Sequence, residues 1–281
     1  RMVYLEKYKW STEKNVSVTG FAWLGEDYFC GHDFVEQTQQ HITDFGQLKD
    51  FVSRLNGQFS IVVKNEQETW ATCCHTWSFP RFYKKSNKKY IVSDSPETLI
   101  KNSSKLESDA FQHLYFISFG VTPKETTLNN TVLQVRPGQL VCLSKHSKTT
   151  SFSPPFSNIS KKQSSEKVSS EELEAHLTKS FEKYYKQIKD KQVLLPLTGG
   201  YDSRLRACLL KEYGHKNVIC ATWGRKESSE KRTAKKVAST LGFDYCPVDY
   251  SESMIRKFTK TKMFDDYVNF VGHHSSMPFF Y

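Results

Sequence analysis

Short apolar runs separated by polar turns dominate residues 1–150. Runs with strand length and β-branched or aromatic content predict strands at residues 58–63, 68–73, 89–93 and 138–143. Between the last two, residues 109–119 place apolar side chains three or four positions apart, which is typical of a helix. Antiparallel strands with few helices predict an α+β domain over residues 1–150.

The pattern changes after residues 151–168, a Ser-, Lys- and Pro-rich segment that is predicted to be a linker. Ser169 and Glu172 have the spacing of a capping box, which predicts the start of a helix. Its apolar positions follow at intervals of three or four: Leu173, Leu177, Phe181, Tyr184 and Ile188.

Strands and helices alternate through the remainder of the chain. Apolar strands are predicted at residues 193–197, 217–222 and 243–248. Helices are predicted between them, one from Ser203 and one from Ser228 or Ser229 to Gly242. Strand–helix–strand–helix–strand order predicts a parallel sheet and an α/β domain over residues 169–281.

Charge and composition restrict the kinds of molecule that we expect this protein to bind. The 281 residues include 40 Lys and Arg against 30 Asp and Glu, a formal net charge of +10, which suits an anionic partner. The lysines are scattered and no helix carries a basic stripe, so we expect no nucleic-acid partner. No apolar run approaches the roughly 18 residues of a spanning helix, so we expect no membrane partner. The 20 Phe and 14 Tyr residues suffice for a sizeable core.

The cysteines and histidines give no sign of a metal site. Seven cysteines form no Cys-x-x-Cys pair, which argues against a zinc site and against a disulfide framework. The first residues are too polar for a signal peptide, so we expect a reducing, cytoplasmic location. His273 and His274 are adjacent and would point apart on a regular element, so we expect them in a loop rather than at a metal ion.

The segment most informative about chemistry is residues 197–204, Leu-Thr-Gly-Gly-Tyr-Asp-Ser-Arg, between a predicted strand and its helix. Ligands of open α/β sheets bind at the carboxyl ends of strands. Gly199 and Gly200 allow positive φ and a close backbone approach, so that N–H groups and the helix N-terminus would cradle phosphate. Asp202 fits this loop if a divalent cation bridges it to the phosphates. A tight turn with a helix cap is the alternative that these residues leave open.

This loop resembles the Ser-Gly-Gly-x-Asp-Ser pyrophosphate loop of the N-type ATP pyrophosphatases, with Thr198 in place of the first Ser. Its surroundings are similar to those of the asparagine synthetase family. Trp223-Gly224 is followed by Ser228-Ser-Glu230 and by an Ala-x-x-Val-Ala-x-x-Leu-Gly series that ends at Gly242. Segments of the first half resemble the same family in the same order: residues 55–60, 80–83, 92–99, 120–122 with Thr126, and 136–138.

The resemblance implies a glutaminase-like domain of the N-terminal-nucleophile hydrolase fold over residues 1–150. It implies that residues 169–281 are the N-terminal part of a PP-loop ATP pyrophosphatase domain. The implied activity is a ligase that uses ATP and Mg²⁺ to adenylate a small carboxylate, aspartate or a related acid, with release of pyrophosphate and AMP. The implied site consists of Thr198, Gly199, Gly200, Asp202 and Ser203 at the pyrophosphate, Asp202 also at Mg²⁺, and Leu197 and Trp223 beside the nucleoside.

The sequence departs from the family at several positions. Arg1 stands where the glutaminase needs a terminal Cys, the first Cys is Cys30, and residues 74–78 replace the family's Arg-Asp-Arg-x-Gly. We therefore predict a glutaminase-like domain without glutaminase activity, with loss of an upstream Cys by truncation as the rival explanation. Arg204 replaces a commoner Ser and either reaches a phosphate or substrate carboxylate or is a solvated helix residue.

The chain ends at Tyr281, before the family's second glycine-acidic loop and its catalytic Lys, so we expect a truncated, partial ATP pyrophosphatase domain. Two other functions remain open. One is a catalytically silent module that binds nucleotide or regulates. The other is an intramolecular amide synthetase like those that close β-lactams or lasso peptides. A homodimer also remains open.

Overall fold

The structure, a computed structural model, describes residues 8–86, 89–100, 109–144, 148–152 and 169–271. These residues form two compact units, the first over residues 8–152 and the second over residues 169–267. Most of the predicted linker, together with Arg1, His273 and His274, lies outside the described residues.

The first unit is built from short strands with helices between them. Its helices are α1 (Gly31–His41), α2 (Phe45–Arg54), α3 (Pro96–Ile100) and α4 (Ala110–Phe119). Its strands are β1 (Ser11–Glu13), β2 (Val16–Leu24), β3 (Asp27–Cys30), β4 (Leu55–Lys64), β5 (Thr69–Cys73), β6 (Arg81–Ser86), β7 (Lys89–Ser93), β8 (Leu133–Val135), β9 (Gln139–Leu143) and β10 (Lys148–Ser151).

These strands form two antiparallel sheets. The larger has the order β1-β2-β4-β5-β9-β10, with β3 also pairing with β2, and the smaller has the order β7-β6-β8. Successive residues of a strand face opposite sides of its sheet. Ile61 and Val63 therefore pack with helix residues such as Phe34, whereas Val62 packs with Tyr83 of the smaller sheet. The larger sheet thus has helices on one face and the smaller sheet on the other.

The second half of the chain alternates helices and strands as predicted. In order, it contains α5 (Ser170–Ile188), β11 (Val193–Pro196), α6 (Tyr201–Glu212), β12 (Val218–Gly224), α7 (Ser229–Leu241), β13 (Asp244–Asp249), α8 (Glu252–Phe258) and α9 (Lys262–Val271). The strands β11, β12 and β13 are adjacent in that order and parallel. The protein is therefore a mixed α/β protein with several sheets, as predicted at that level.

Hydrogen bonds confirm the predicted start of α5 and the predicted ends of α7. Ser169 Oγ accepts from Glu172 N at 3.1 Å and the Glu172 carboxylate accepts from Ser169 N at 3.0 Å, which completes the capping box. Ser228 caps the start of α7, and Gly242 ends that helix with a left-handed φ of 71°.

The apolar face predicted for α5 is only partly covered. Phe181 and Ile188 pack against the core of the second unit, while Leu173, Leu177 and Tyr184 are exposed. Within the described part of the chain, no helix combines the length and the hydropathy needed to cross a membrane.

Gly20 allows the close pairing of β2 with β4. Its φ is +88°, and an added Cβ would lie 2.0 Å from the Gln58 carbonyl oxygen. We expect Gly20→Ala to lower the free energy of unfolding by about 3 kcal/mol, because backbone strain and a clash add. Gly25→Ala is the matched control: φ is +64°, but nothing lies within 4 Å of the added Cβ. There we expect about 1 kcal/mol from strain alone. Equal losses in urea unfolding would contradict this explanation.

Candidate functional site

The loop of residues 197–200 leaves the parallel sheet at the carboxyl end of β11 and leads into α6. Leu197 N donates to Ala221 O at 2.9 Å, and Thr222 Oγ1 donates to Leu197 O at 2.5 Å, so the first loop residue is fixed to β12. The Leu197 side chain is 0% exposed and belongs to the core. The Leu197 side chain therefore contributes to the core, and a place for Leu197 beside a nucleoside stays a prediction.

Three consecutive backbone N–H groups of the loop donate to side-chain oxygens. Thr198 N donates to Ser203 Oγ at 3.0 Å, and Gly200 N donates to Thr198 Oγ1 at 3.1 Å. Gly199 N donates to the Glu230 carboxylate, Oε2, at 3.1 Å. The two hydroxyl groups also lie 3.0 Å apart. The loop therefore gathers backbone donors and hydroxyl groups in one place and holds a negatively charged oxygen there.

The two loop glycines do not have the conformation that we expected. Gly200 is the N-cap of α6 with φ −73° and ψ 154°, and neither Gly199 nor Gly200 has a positive φ. Consequently α6 starts at Tyr201 rather than at the predicted Ser203. A Cβ added to Gly199 would meet only side-chain atoms of Glu230 and Thr233, at 3.7 to 3.8 Å. The backbone conformation and the surrounding space therefore do not require glycine at position 199.

Asp202 lies exposed in the first turn of α6. It borders an open groove of about 850 Å³ between α6 and α7, whose lining includes Leu205, Thr233 and Val237. Among the described residues, no cluster of three or more His, Cys, Asp or Glu side chains is arranged to hold a metal ion. A Mg²⁺ ion beside Asp202 would therefore take its remaining ligands from phosphate oxygens and water, which is the usual arrangement for Mg²⁺ with a nucleotide.

Arg204 folds back on its own turn of α6. Its Nε donates to Gly200 O at 3.3 Å, and its guanidinium carbon lies 4.4 Å from the centre of the Tyr201 ring. Tyr201 is 83% exposed. The guanidinium group is thus held at the rim of the loop by a cation–π contact and a hydrogen bond. A role for Arg204 toward phosphate or carboxylate stays a prediction.

Lys231 ties together the strand ends beside the loop. Its side chain is 6% exposed, and Nζ donates to Gly224 O at 2.8 Å, to Val248 O at 2.7 Å and to Asp249 Oδ1 at 2.5 Å. Gly224 ends β12, and the other two residues end β13. One buried ammonium group therefore joins the carboxyl ends of two strands to the first turn of α7. Trp223, beside Gly224, is 52% exposed at the same edge.

Glu230 and Lys231 have site contacts that no sequence motif predicted. In the sequence, Glu230 was only the acidic residue of a pattern similar to that of the asparagine synthetase family. Its contact with Gly199 could not be predicted from local patterns, because the two residues are 31 positions apart. The available signal was its position in the first turn of the helix that follows the neighbouring parallel strand. The carboxyl ends of adjacent parallel strands share one edge of a sheet, so this turn lies beside the loop.

In the first unit, residues 73–77 are bound to the surrounding backbone. Burial raises the pKa of the Cys73 thiol well above its usual value, and this thiol donates to Arg136 O at 3.2 Å. Cys74 is buried, and Trp77 Nε1 donates to Val135 O at 2.8 Å. A neutral, buried thiol is a poor nucleophile, so Cys73 has a structural role.

Comparison with known proteins does not establish a family. No protein-family model matches the chain, and no curated protein matches it significantly. Among solved structures, the NH3-dependent NAD synthetase from Campylobacter jejuni, in complex with the nitrate ion, is similar to this protein. The alignment covers 35% of this chain and 45% of the synthetase chain. Identity is 21% and the TM-score is 0.28.

Two further structures match a larger share of this chain. The glutamine phosphoribosylpyrophosphate amidotransferase from B. subtilis, complexed with ADP and GMP, matches 88% of this chain over 73% of its own, at 12% identity and TM-score 0.32. The alignment with the allosteric regulatory enzyme of purine biosynthesis covers 89% of this chain and 51% of the enzyme's chain, at 14% identity and a TM-score of 0.31. The chain thus spans about half the length of this enzyme and of the NAD synthetase. TM-scores this low do not establish a shared fold, so a function must be argued from the site residues.

We expect Lys231→Met to destabilise the protein, because the Gly224 and Val248 carbonyls lose the Lys231 donor, although Gly224 O still accepts from Tyr250 N at 2.9 Å. The loss should be about 2 kcal/mol in urea unfolding, less than for a fully buried ion pair because Asp249 is 52% exposed. Lys235→Met is the matched control, an exposed lysine on the same helix, and should change stability by less than about 0.5 kcal/mol. Similar stability of the two variants would show that Lys231 does not fix the strand ends.

Proposed function

We propose that this protein is an ATP-dependent, amide-forming ligase of the asparagine synthetase type, which adenylates aspartate or a related small carboxylate. The observation that carries the proposal is the loop at the carboxyl end of β11. Three successive N–H groups and the hydroxyl groups of Thr198 and Ser203 gather there, at the start of α6. This is the position at which parallel α/β sheets bind phosphate groups.

The donor set fits a pyrophosphate group. Thr198, Gly199 and Gly200 would donate backbone N–H groups to its oxygens, the Ser203 hydroxyl would add another donor, and the N-terminus of α6 would contribute its positive dipole. Glycine at position 199 fits the same interpretation. Because the folded chain has room for a Cβ there, its absence is explained by a ligand that approaches the backbone closely.

Asp202 would bind Mg²⁺ together with the phosphate oxygens. A lone exposed carboxylate in the first turn of α6 would supply one oxygen ligand, as in sites where Mg²⁺ is bound mainly by nucleotide and water. Trp223 would lie beside the nucleoside, since its half-exposed indole flanks the same edge of the sheet. Leu197 would hold the loop in register from within the core.

ATP, when bound, would supply the adenylyl group for the carboxylate and pyrophosphate as the leaving group. The loop donors would stabilise the negative charge that develops on the leaving oxygens, because they are already positioned before the reaction. In the first unit, the proposal includes a glutaminase-like domain that does not hydrolyse glutamine, because residues 74–78 replace the Arg-Asp-Arg-x-Gly segment of the family that the sequence resembles. Absence of glutaminase activity stays a prediction.

The proposal is tested by exchange of labelled pyrophosphate into ATP in the presence of aspartate and other small carboxylates. We expect exchange with the full-length protein that contains this chain and a loss of about 100-fold in Asp202→Asn, because the metal ligand is removed. Asp190→Asn is the control, since Asp190 is exposed before β11, away from the carboxyl ends of the strands, and should leave exchange unchanged.

Equal exchange in Asp202→Asn and wild type would contradict the assigned role of Asp202. Binding of ATP by the full-length wild-type protein without exchange for any carboxylate would overturn the ligase and favour a nucleotide-binding module.

A further inference from the structure

The Glu230 carboxylate occupies the loop position that a phosphate oxygen would take. Its Oε2 accepts from Gly199 N at 3.1 Å, while the N–H groups on either side of it, on Thr198 and Gly200, donate to uncharged hydroxyl oxygens. Carboxylate and phosphate oxygens are both anionic acceptors and bind backbone N–H groups in the same way. The free protein thus places an anion of its own at the centre of the loop.

The rest of the structure holds Glu230 at this position without burying it. Glu230 is the second residue of α7, after the cap formed by Ser228, whose Oγ accepts from Lys231 N at 3.2 Å. The neighbouring Lys231 is anchored to the ends of β12 and β13. The backbone of Glu230 is therefore fixed, whereas its side chain is exposed and can rotate away.

A bound phosphate group would face this carboxylate directly. Two anions that share one N–H donor repel each other, so one of them must leave. Since the contact between Gly199 and Glu230 is exposed to solvent, it is weak enough for a ligand to displace.

We propose that Glu230 is an internal competitor of the phosphate ligand: its carboxylate occupies the Gly199 amide in the free protein and is displaced when pyrophosphate or a nucleotide binds. This inference rests on the proposed function of the loop. It makes Glu230 a residue that lowers the affinity of the site for anions, although it lies within the site.

The test measures binding of inorganic pyrophosphate by calorimetry in EDTA, so that no divalent cation takes part. Glu230→Gln removes the charge, and Glu230→Ala removes the acceptor as well. We expect both variants to bind pyrophosphate about three- to fivefold more tightly than wild type, the range of an exposed charge interaction. Glu227→Gln is the matched control. It removes the same charge from an exposed residue just before α7 and should change affinity less than twofold.

Thermal unfolding of each variant verifies that it is folded. Unchanged or weaker binding in both Glu230 variants, with binding by wild type, would overturn the competitor and leave the pyrophosphate site in place. Absence of binding in wild type and in every variant would overturn both the competitor and the proposed nucleotide site.

Discussion

Lys231 links the carboxyl ends of strands β12 and β13, at the edge of the parallel sheet where the proposed site lies. In a parallel sheet the last carbonyl groups of adjacent strands point toward solvent, where a ligand would bind. One nearly buried ammonium group donates to Gly224 O, Val248 O and Asp249 Oδ1, which satisfies these acceptors and joins β12 to β13. Burying a charge costs free energy unless every donor has a partner, and three acceptors meet that requirement. The first turn of α7 is thereby fixed beside the loop.

The loop itself is ordered by two local hydrogen bonds and by one contact with the anchored helix α7. Its three N–H groups are oriented by two hydroxyl groups and by Glu230. A loop that already holds its donors in place loses little conformational entropy when a ligand binds. The same hydrogen bonds must be broken when the ligand binds. The order of the loop therefore lowers the entropic cost of binding and raises the cost of breaking internal hydrogen bonds. The carboxylate of Glu230 is the part of this exchange that a substitution can isolate.

Local signals in the sequence predicted much of the second unit. Ser169 and Glu172 are only three positions apart, and β11 and β12 consist largely of short apolar runs, so periodicity and capping rules suffice for them. The same rules missed α1 and α2, and they could not reveal that Leu197 is buried or that Gly199 meets Glu230. Those facts depend on how separate elements pack, which no local pattern encodes.

The glycines of the loop were predicted to allow positive φ and a close approach to the backbone. Neither has a positive φ, and a Cβ at Gly199 would be in ordinary van der Waals contact. Backbone conformation therefore does not explain Gly199. The Gly199 N–H group donates to the exposed side chain of Glu230. In the proposed site a phosphate oxygen would accept from the same N–H group, and a residue without a Cβ would let it approach closely.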